Sequence, residues 1–336
     1  FEMMKKTTSA LAIAALLGTG AASAATFQVA DDTSITVGGD FRFFYTDVTD
    51  KAGDSQTDFT DDASSLVFAG EQTHANGITT SFYLDFDGFG TVGENKADDG
   101  LVTDEYHVSF AGHFGEVKIG DEGDVTGPVL DVADIAEGND GFVGGGDSAN
   151  VVQYYSNDLN GVNFAVQTQI NGDAQKAKGK NGGSSTSLAG YLEAELGAAV
   201  VGLAYDQRAN SEDEPIYGVM LSTNLAGVDL SASYVKDDAT DAENERTAIA
   251  ASYAYGAGSL YGAVNMVSFD EAPTAVEVFG SDASSEAPET SEDFTQYIVG
   301  ISYNLTPNAY VFGEIGAFDY DEDQGDNALV GLVYGW

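Results

Sequence analysis

A rhythm of two residues constrains this chain more than any other feature of its sequence. In residues 35–46, Val37, Gly39, Phe41, Phe43 and Tyr45 fall on one side of an extended segment, and Asp40, Arg42 and Thr46 fall on the other. In residues 188–196, Leu188, Gly190, Leu192, Ala194 and Leu196 alternate with Tyr191, Glu193 and Glu195. The same dyad runs through 79–86, 162–170, 228–236, 247–255, 259–269 and 296–305. Each run is close to the roughly ten residues that a tilted strand needs to cross a bilayer. Beyond the N-terminal region no apolar stretch reaches the roughly 18 residues of a spanning helix, so helical spans are not predicted.

The connections sort into two lengths. Short turns near 73–77, 112–115, 157–161, 197, 224–227, 256–258 and 304–308 alternate with longer polar stretches at 47–64, 87–103, 123–148, 171–186, 207–215, 237–245, 270–293 and 319–326. Seven turns and eight loops join sixteen strands, with every turn on one side of a membrane and every loop on the other. The predicted fold is therefore all-β, a 16-stranded antiparallel transmembrane β-barrel, because lipid cannot satisfy a free sheet edge. A soluble sandwich or propeller would also alternate, but with shorter strands and loops of one length class. Sixteen strands enclose a lumen too wide for side chains alone to fill, which implies an aqueous channel.

Composition agrees: 41 Gly, 17 Tyr and 19 Phe against 5 Pro describe many strands with tight turns, and the absence of Cys excludes a disulfide scaffold. At the start, Lys5 and Lys6, an apolar run over 10–17 and Ala22-Ser23-Ala24 have the order of a secretory signal peptide. Residues 1–24 are read as that signal, with Phe1 and Glu2 as non-native-looking leading residues, and 25–336 as the barrel. This ordering predicts export through the periplasm to the outer membrane of a Gram-negative bacterium.

The formal net charge of −43 excludes nucleic acid as a partner, since no basic stripe offsets the repulsion. The acids crowd into the longer connections, as at 58–62, 281–293 and 319–326, and such a surface also suits a salty medium. No Walker loop, zinc signature or recognisable Ser-His-Asp context is present, and the neighbouring acids Asp61 and Asp62 point apart, so neither an enzyme nor a cofactor is predicted. The alternating Asp319, Asp321 and Asp323 precede a Gly one place late for a calcium loop, and Lys176, Lys178 and Lys180 form the one basic cluster; both read as charged outer loops. His74, His107 and His113 are too dispersed for a metal site.

Several motifs carry a family resemblance. These are Ala69-Gly70-Glu71, the stretch 114–120 (FGEVKIG), the acidic third loop with 141–147 (GFVGGGD), 150–154 (NVVQY) before 161–167 (GVNFAVQ), and the final strand 329–336. In order and spacing the chain resembles the Gram-negative general diffusion porins over its whole length after the signal. The resemblance implies a homotrimer, a third loop (about 123–148) folded inward to narrow the channel, and a terminal aromatic residue read by the barrel-assembly machinery. Trp336 stands where Phe is more usual.

In such a channel, acids on the inward loop face Arg and Lys on the wall. Here the candidate lumen and constriction residues are Asp40, Arg42, Glu71, Asp85, Lys118, Asp121, Glu122, Asp124, Asp131, Asp134, Glu137 and Asp140. Ser65, Ala69 and Ala149 occupy places where the family often has a basic residue, and the chain has three Arg in all. A collar so acidic predicts passive diffusion of small hydrophilic solutes and ions with a preference for cations, and a conductance that falls as pH drops. Alternatives are a substrate-specific channel, for example for oligosaccharides, which would need an aromatic track along the lumen, and a structural or adhesive barrel. The expected partners are the lipid bilayer, lipopolysaccharide and permeating cations.

Overall fold

The computed structural model describes residues 24–49, 55–61, 64–87, 102–139, 147–170, 186–207, 215–238, 243–270, 293–319 and 326–336. The N-terminal segment read as a signal peptide, as far as Ser23, together with Asp140, the glycine run after it and most of the longer loops, lies outside the described residues.

The strands are β1 (Ala25–Ala30), β2 (Thr33–Thr49), β3 (Ser55–Asp61), β4 (Ser65–Thr73), β5 (Thr79–Asp87), β6 (Val102–Gly112), β7 (Gly115–Gly123), β8 (Asp147–Tyr155), β9 (Val162–Ile170), β10 (Thr186–Leu196), β11 (Ala199–Gln207), β12 (Ile216–Leu225), β13 (Val228–Asp237), β14 (Asn244–Ala254), β15 (Ser259–Phe269), β16 (Phe294–Thr306), β17 (Ala309–Phe318) and β18 (Asn327–Gly335). Neighbours pair antiparallel, β9 pairs with β10, and β18 pairs with β2, so the sheet closes on itself.

These eighteen segments occupy sixteen positions in the wall. β3 and β4 both pair with β2, the first along Phe43–Thr49 and the second along Thr33–Asp40, so they are two halves of one strand. β1 pairs with Thr33–Val37 of β2, and β18 pairs with Asp40–Val48 on the same side, so β1 continues the line of β18. The seam is stitched by Trp336 N–H to Gly39 O at 3.0 Å and Gly39 N–H to Trp336 O at 3.2 Å. The count of sixteen thus holds, but the stretch 47–64, read as loop from its acids, contains paired strand: Asp58 alternates with Thr57 and Phe59, and β2 supplies the partner backbone.

The seven short turns fall where the sequence puts them. Leu225 pairs with Val228 around Ala226 (φ 54°) and Gly227 (φ 89°), a two-residue loop whose positive φ angles match the strand twist. Asn224 Oδ1 accepts the Gly227 N–H at 3.2 Å.

Parity divides the wall into two faces. Outward residues such as Leu203, Val219, Leu221, Ile249, Val299, Ile301, Ile315 and Val330 are exposed and apolar. Exposed tyrosines flank that band at both ends: Tyr45, Tyr106, Tyr205, Tyr217 and Tyr297 towards the loops, and Tyr253, Tyr303 and Tyr334 towards the turns. An apolar belt between aromatic girdles is the surface that lipid requires of a β-barrel. The opposite parity carries Asp40, Arg42, Asp85, Lys118, Glu122, Gln153, Gln167, Asn265 and Glu314 together with small apolar residues.

Candidate functional site

The inner face of β2, β4 and β5 forms one acidic wall. Asp40 and Arg42 lie two residues apart on β2 and therefore on one face; Arg42 Nε donates to Asp40 Oδ2 at 2.7 Å. Ser65 Oγ on β4 donates to the other Asp40 oxygen at 2.6 Å. Asp85 lies opposite Val67 and Asp87 opposite Ser65, on the same parity. Tyr83 Oη donates to Asp85 Oδ2 at 3.0 Å, while Asp85 Oδ1 has no hydrogen-bond partner among the described residues.

The segment after β7 crosses this face rather than leaving it. Helix α1 (Gly127–Leu130), which has a Pro in its first turn, sets Val129 and Leu130 against Ala204, Ile216, Met220 and Val235 of β11 to β13. Ala133, with Val132, Ile135 and Ala136, then meets Ala248, Ala250, Ala263 and Ile298 of β14 to β16. All these wall residues have the parity opposite to the apolar belt. Gly138 reaches Phe44 and Leu329, so the segment runs from β7 past β11 and on to β18 and β2.

Its far end is tied down by one carboxylate. Glu314 on β17, 3% exposed, accepts the backbone N–H of Glu137 at 2.6 Å, of Gly138 at 3.2 Å and of Asn139 at 3.1 Å. It also accepts Asn139 Nδ2 at 3.3 Å and Tyr261 Oη at 2.6 Å. Beside it, Tyr310 Oη donates to Glu137 Oε2 at 2.8 Å, and Arg42 Nη1 stands 4.0 Å from the same oxygen. Burial pushes the Glu137 carboxyl above the usual carboxylate range, with the Glu314 charge adding to the push, while Tyr310 and Arg42 oppose it.

The near end is rooted in a buried cluster. Lys118 Nζ donates to Glu122 Oε1 at 2.7 Å, four residues on, and His107 Nδ1 contacts Glu122 Oε2. Lys118 also sits 5.4 Å from the Tyr155 ring centre, and His107 stacks on Tyr83. Gln153 Nε2 donates to Gly123 O and Gln167 Oε1, both at 2.8 Å, and Glu105 Oε1 accepts the Gly123 N–H at 3.2 Å. Removing one member of a buried pair leaves the other charge uncompensated. Lys118→Met is expected to destabilise the folded barrel by about 3 kcal/mol, measurable by urea titration in detergent; an unchanged midpoint would count against the pairing.

The structure brings Asp40, Arg42 and Glu137 within one cluster and joins Lys118 to Glu122. Asp85 shares the acidic wall, and Glu71 has the inward parity but sits exposed near the turn end of β4. Asp124 caps the loop start by accepting the Thr126 N–H at 3.0 Å; Asp131 follows α1, and Asp134 is exposed on the same segment. Asp121 departs from the expectation. Asp121 shares the parity of the exposed Ile119 and pairs with the outward Tyr106, so it lies on the opposite face from Lys118 and Glu122. Trp336 ends the seam described above, with its indole Nε1 buried and without a hydrogen-bond partner among the described residues. Glu105, Asp87, Glu314, His107 and the two tyrosines Tyr261 and Tyr310 were not anticipated as site residues. Their inward parity was readable from the alternation, but what each touches depends on the path of the third loop.

A model of the Gram-negative porin family matches residues 7–323. A protein of a Halomonas species named monosaccharide porin is 26% identical, over 98% of this chain and 100% of its own length. The major outer membrane protein of Halomonas elongata shows the same identity and coverage. Among solved structures, the anion-selective porin from Comamonas acidovorans superposes with a TM-score of 0.67 at 18% identity, covering 91% of this chain and 100% of that one.

Proposed function

This chain belongs to the Gram-negative porin family, and on that premise we propose that it forms a water-filled outer-membrane channel for small hydrophilic solutes that favours cations over anions. Porins are channels rather than enzymes, and the closed wall with an apolar outer belt and a polar inner face is the observation that carries the reading. The segment 124–139 serves as the constriction, facing the wall of Asp40, Asp85, Asp87 and Glu105 across the remaining opening. Export through the periplasm, assembly as a homotrimer, recognition of Trp336 by the barrel-assembly machinery, and contact of the outer loops with lipopolysaccharide complete the proposal.

Cation preference rests on charges that are not balanced. Among the described residues the lumen-parity cations near the constriction are all withdrawn from the open passage: Arg42 is engaged by Asp40, Lys118 by Glu122, and Arg246 on β14 is buried. The acids on the wall and the loop therefore set the field, and a narrow low-dielectric collar amplifies it. The Comamonas channel named above is anion-selective, but likeness at that identity concerns the fold and not the charges. In a bilayer with a KCl gradient at low salt, the reversal potential is expected to take the sign of K⁺ permeation at neutral pH. Because Glu137 is held above the usual carboxylate range, it loses its charge before the exposed carboxylates as pH falls, so the preference is expected to weaken before they titrate. An anion-selective reversal potential, or a preference that strengthens on acidification, would overturn the reading.

The name of the Halomonas relative favours monosaccharides as one solute class. Tyr155, Tyr191 and Tyr261, half-buried on the inward parity, offer rings and hydroxyls of the kind that sugars use. Liposome swelling separates the cases: equal rates for hexoses and for amino acids of similar size indicate general diffusion, and a selective gain for hexoses indicates a sugar channel.

A further inference from the structure

We propose that Gly202 and Gly218 set the width of the passage, by forming a recess in the wall that lets the third loop lie flat. The inference rests on the channel reading above. Both glycines are buried and have the inward parity, Gly202 on β11 and Gly218 on β12. Val129 (0% exposed) and Leu130 (4%) of α1 fill the space above them. A Cβ at Gly202 would stand 2.8 Å from Val129 Cγ2 and 3.1 Å from Met220 Cε, and a Cβ at Gly218 would run into Leu130 Cδ2.

Neither neighbour can move aside freely. Val129 is β-branched and has one stiff torsion, and Leu130 is enclosed by Ile216, Met220 and Val235. The far end of the loop is fixed to Glu314 and its root to Gln153, so bulk added beneath α1 can be relieved only by lifting the helix off the wall. Carbon atoms in contact need about 3.5–4.0 Å. Restoring that distance at Gly202 moves α1 by roughly 1 Å, and the lumen is the direction left open. A smaller bore then follows with no change in lumen charge, so size selection and ion selection are set at different residues.

The experiment compares wild type, Gly218→Val, Gly202→Ala, the double variant Gly218→Val with Leu130→Ala, and Gly313→Ala. At Gly313 a Cβ would meet only Leu329 O, at 3.8 Å, so that substitution serves as the control. Single-channel conductance and liposome swelling across sugars of graded size are measured on protein whose folded, heat-modifiable form has been verified. Gly218→Val is expected to lower conductance roughly 1.5-fold and to exclude the largest sugars that wild type admits, with the ion permeability ratio unchanged. Removing Leu130 bulk in the double variant is expected to restore both, and Gly313→Ala is expected to behave as wild type. Wild-type size limits in folded Gly218→Val, or a double variant as narrow as the single one, would overturn the proposal. If Gly218→Val does not fold, Gly202→Ala decides by the same readout, with unchanged sieving counting against the recess. A wild-type protein that passes neither ions nor sugars would instead sink the channel reading itself.

Discussion

Replacing Glu314 with Ala is expected to turn a quiet channel into a flickering one. Three consecutive backbone N–H groups, the Asn139 amide and the Tyr261 hydroxyl converge on this carboxylate inside the barrel. Hydrogen bonds to a charged acceptor contribute roughly 1.5–3 kcal/mol each, though those sharing one acceptor are far from additive. A loss of about 4 kcal/mol in docking shifts the docked-to-undocked ratio by roughly a thousandfold. Residues 137–139 should then exchange their amide hydrogens faster, and single-channel records should show excursions above the wild-type level. Glu314→Gln keeps an acceptor oxygen but turns an amide N–H₂ towards other donors, so it should fall between the two. Wild-type amide protection in Glu314→Ala would show that the apolar seat beneath α1 holds the loop without help.

The second large effect concerns selectivity. In the combined variant Asp40→Asn, Asp85→Asn and Glu105→Gln, shape is kept and three charges leave one wall. Glutamine at 105 can still accept the Gly123 N–H that Glu105 accepts at 3.2 Å. Each carboxylate contributes about 0.5 kcal/mol to a cation several ångströms away in a wet pore and opposes an anion by as much, so cation permeability should fall roughly tenfold and the cation-to-anion ratio by more. Arg42 adds to the shift, because Asp40 no longer engages it and Glu137 stands 4.0 Å away. The difference between variant and wild type should shrink near 1 M salt, where screening acts over about 3 Å. Retention of the full preference at low salt would place the selecting charges elsewhere.

Much of the fold could be read from the residues in order. Alternation fixes which side chains share a face, so the belt of Leu203, Val219 and Ile301 and the inward set of Asp40, Arg42 and Lys118 followed from parity alone. The turns were visible because residues such as Asn224 and Gly227 carry a chemistry that strands avoid. Two features were not legible. β3 was hidden because acids in an edge-paired strand look like acids in a loop. Asp121, by contrast, is outward by alternation alone, since it shares the parity of Ile119 while Lys118 and Glu122 share the other. The loop's anchorage joins Glu137 to Glu314, Leu130 to Gly218 and Gly138 to Phe44, and contacts so distant along the chain leave no local periodicity. The collective acidity of the constriction was therefore legible, whereas the partners that hold it in place were not.

The seam gives the barrel an order of assembly. Val48 finds its partner in Asn327, and Gly39 in Trp336, so β2 waits for β18 before its backbone is satisfied. Until then both rims of the sheet present open donors and acceptors that could recruit a neighbouring chain. Ring closure is accordingly a late, long-range event, and a chaperone or membrane machine that shields β2 during that wait would protect the whole molecule from misassociation.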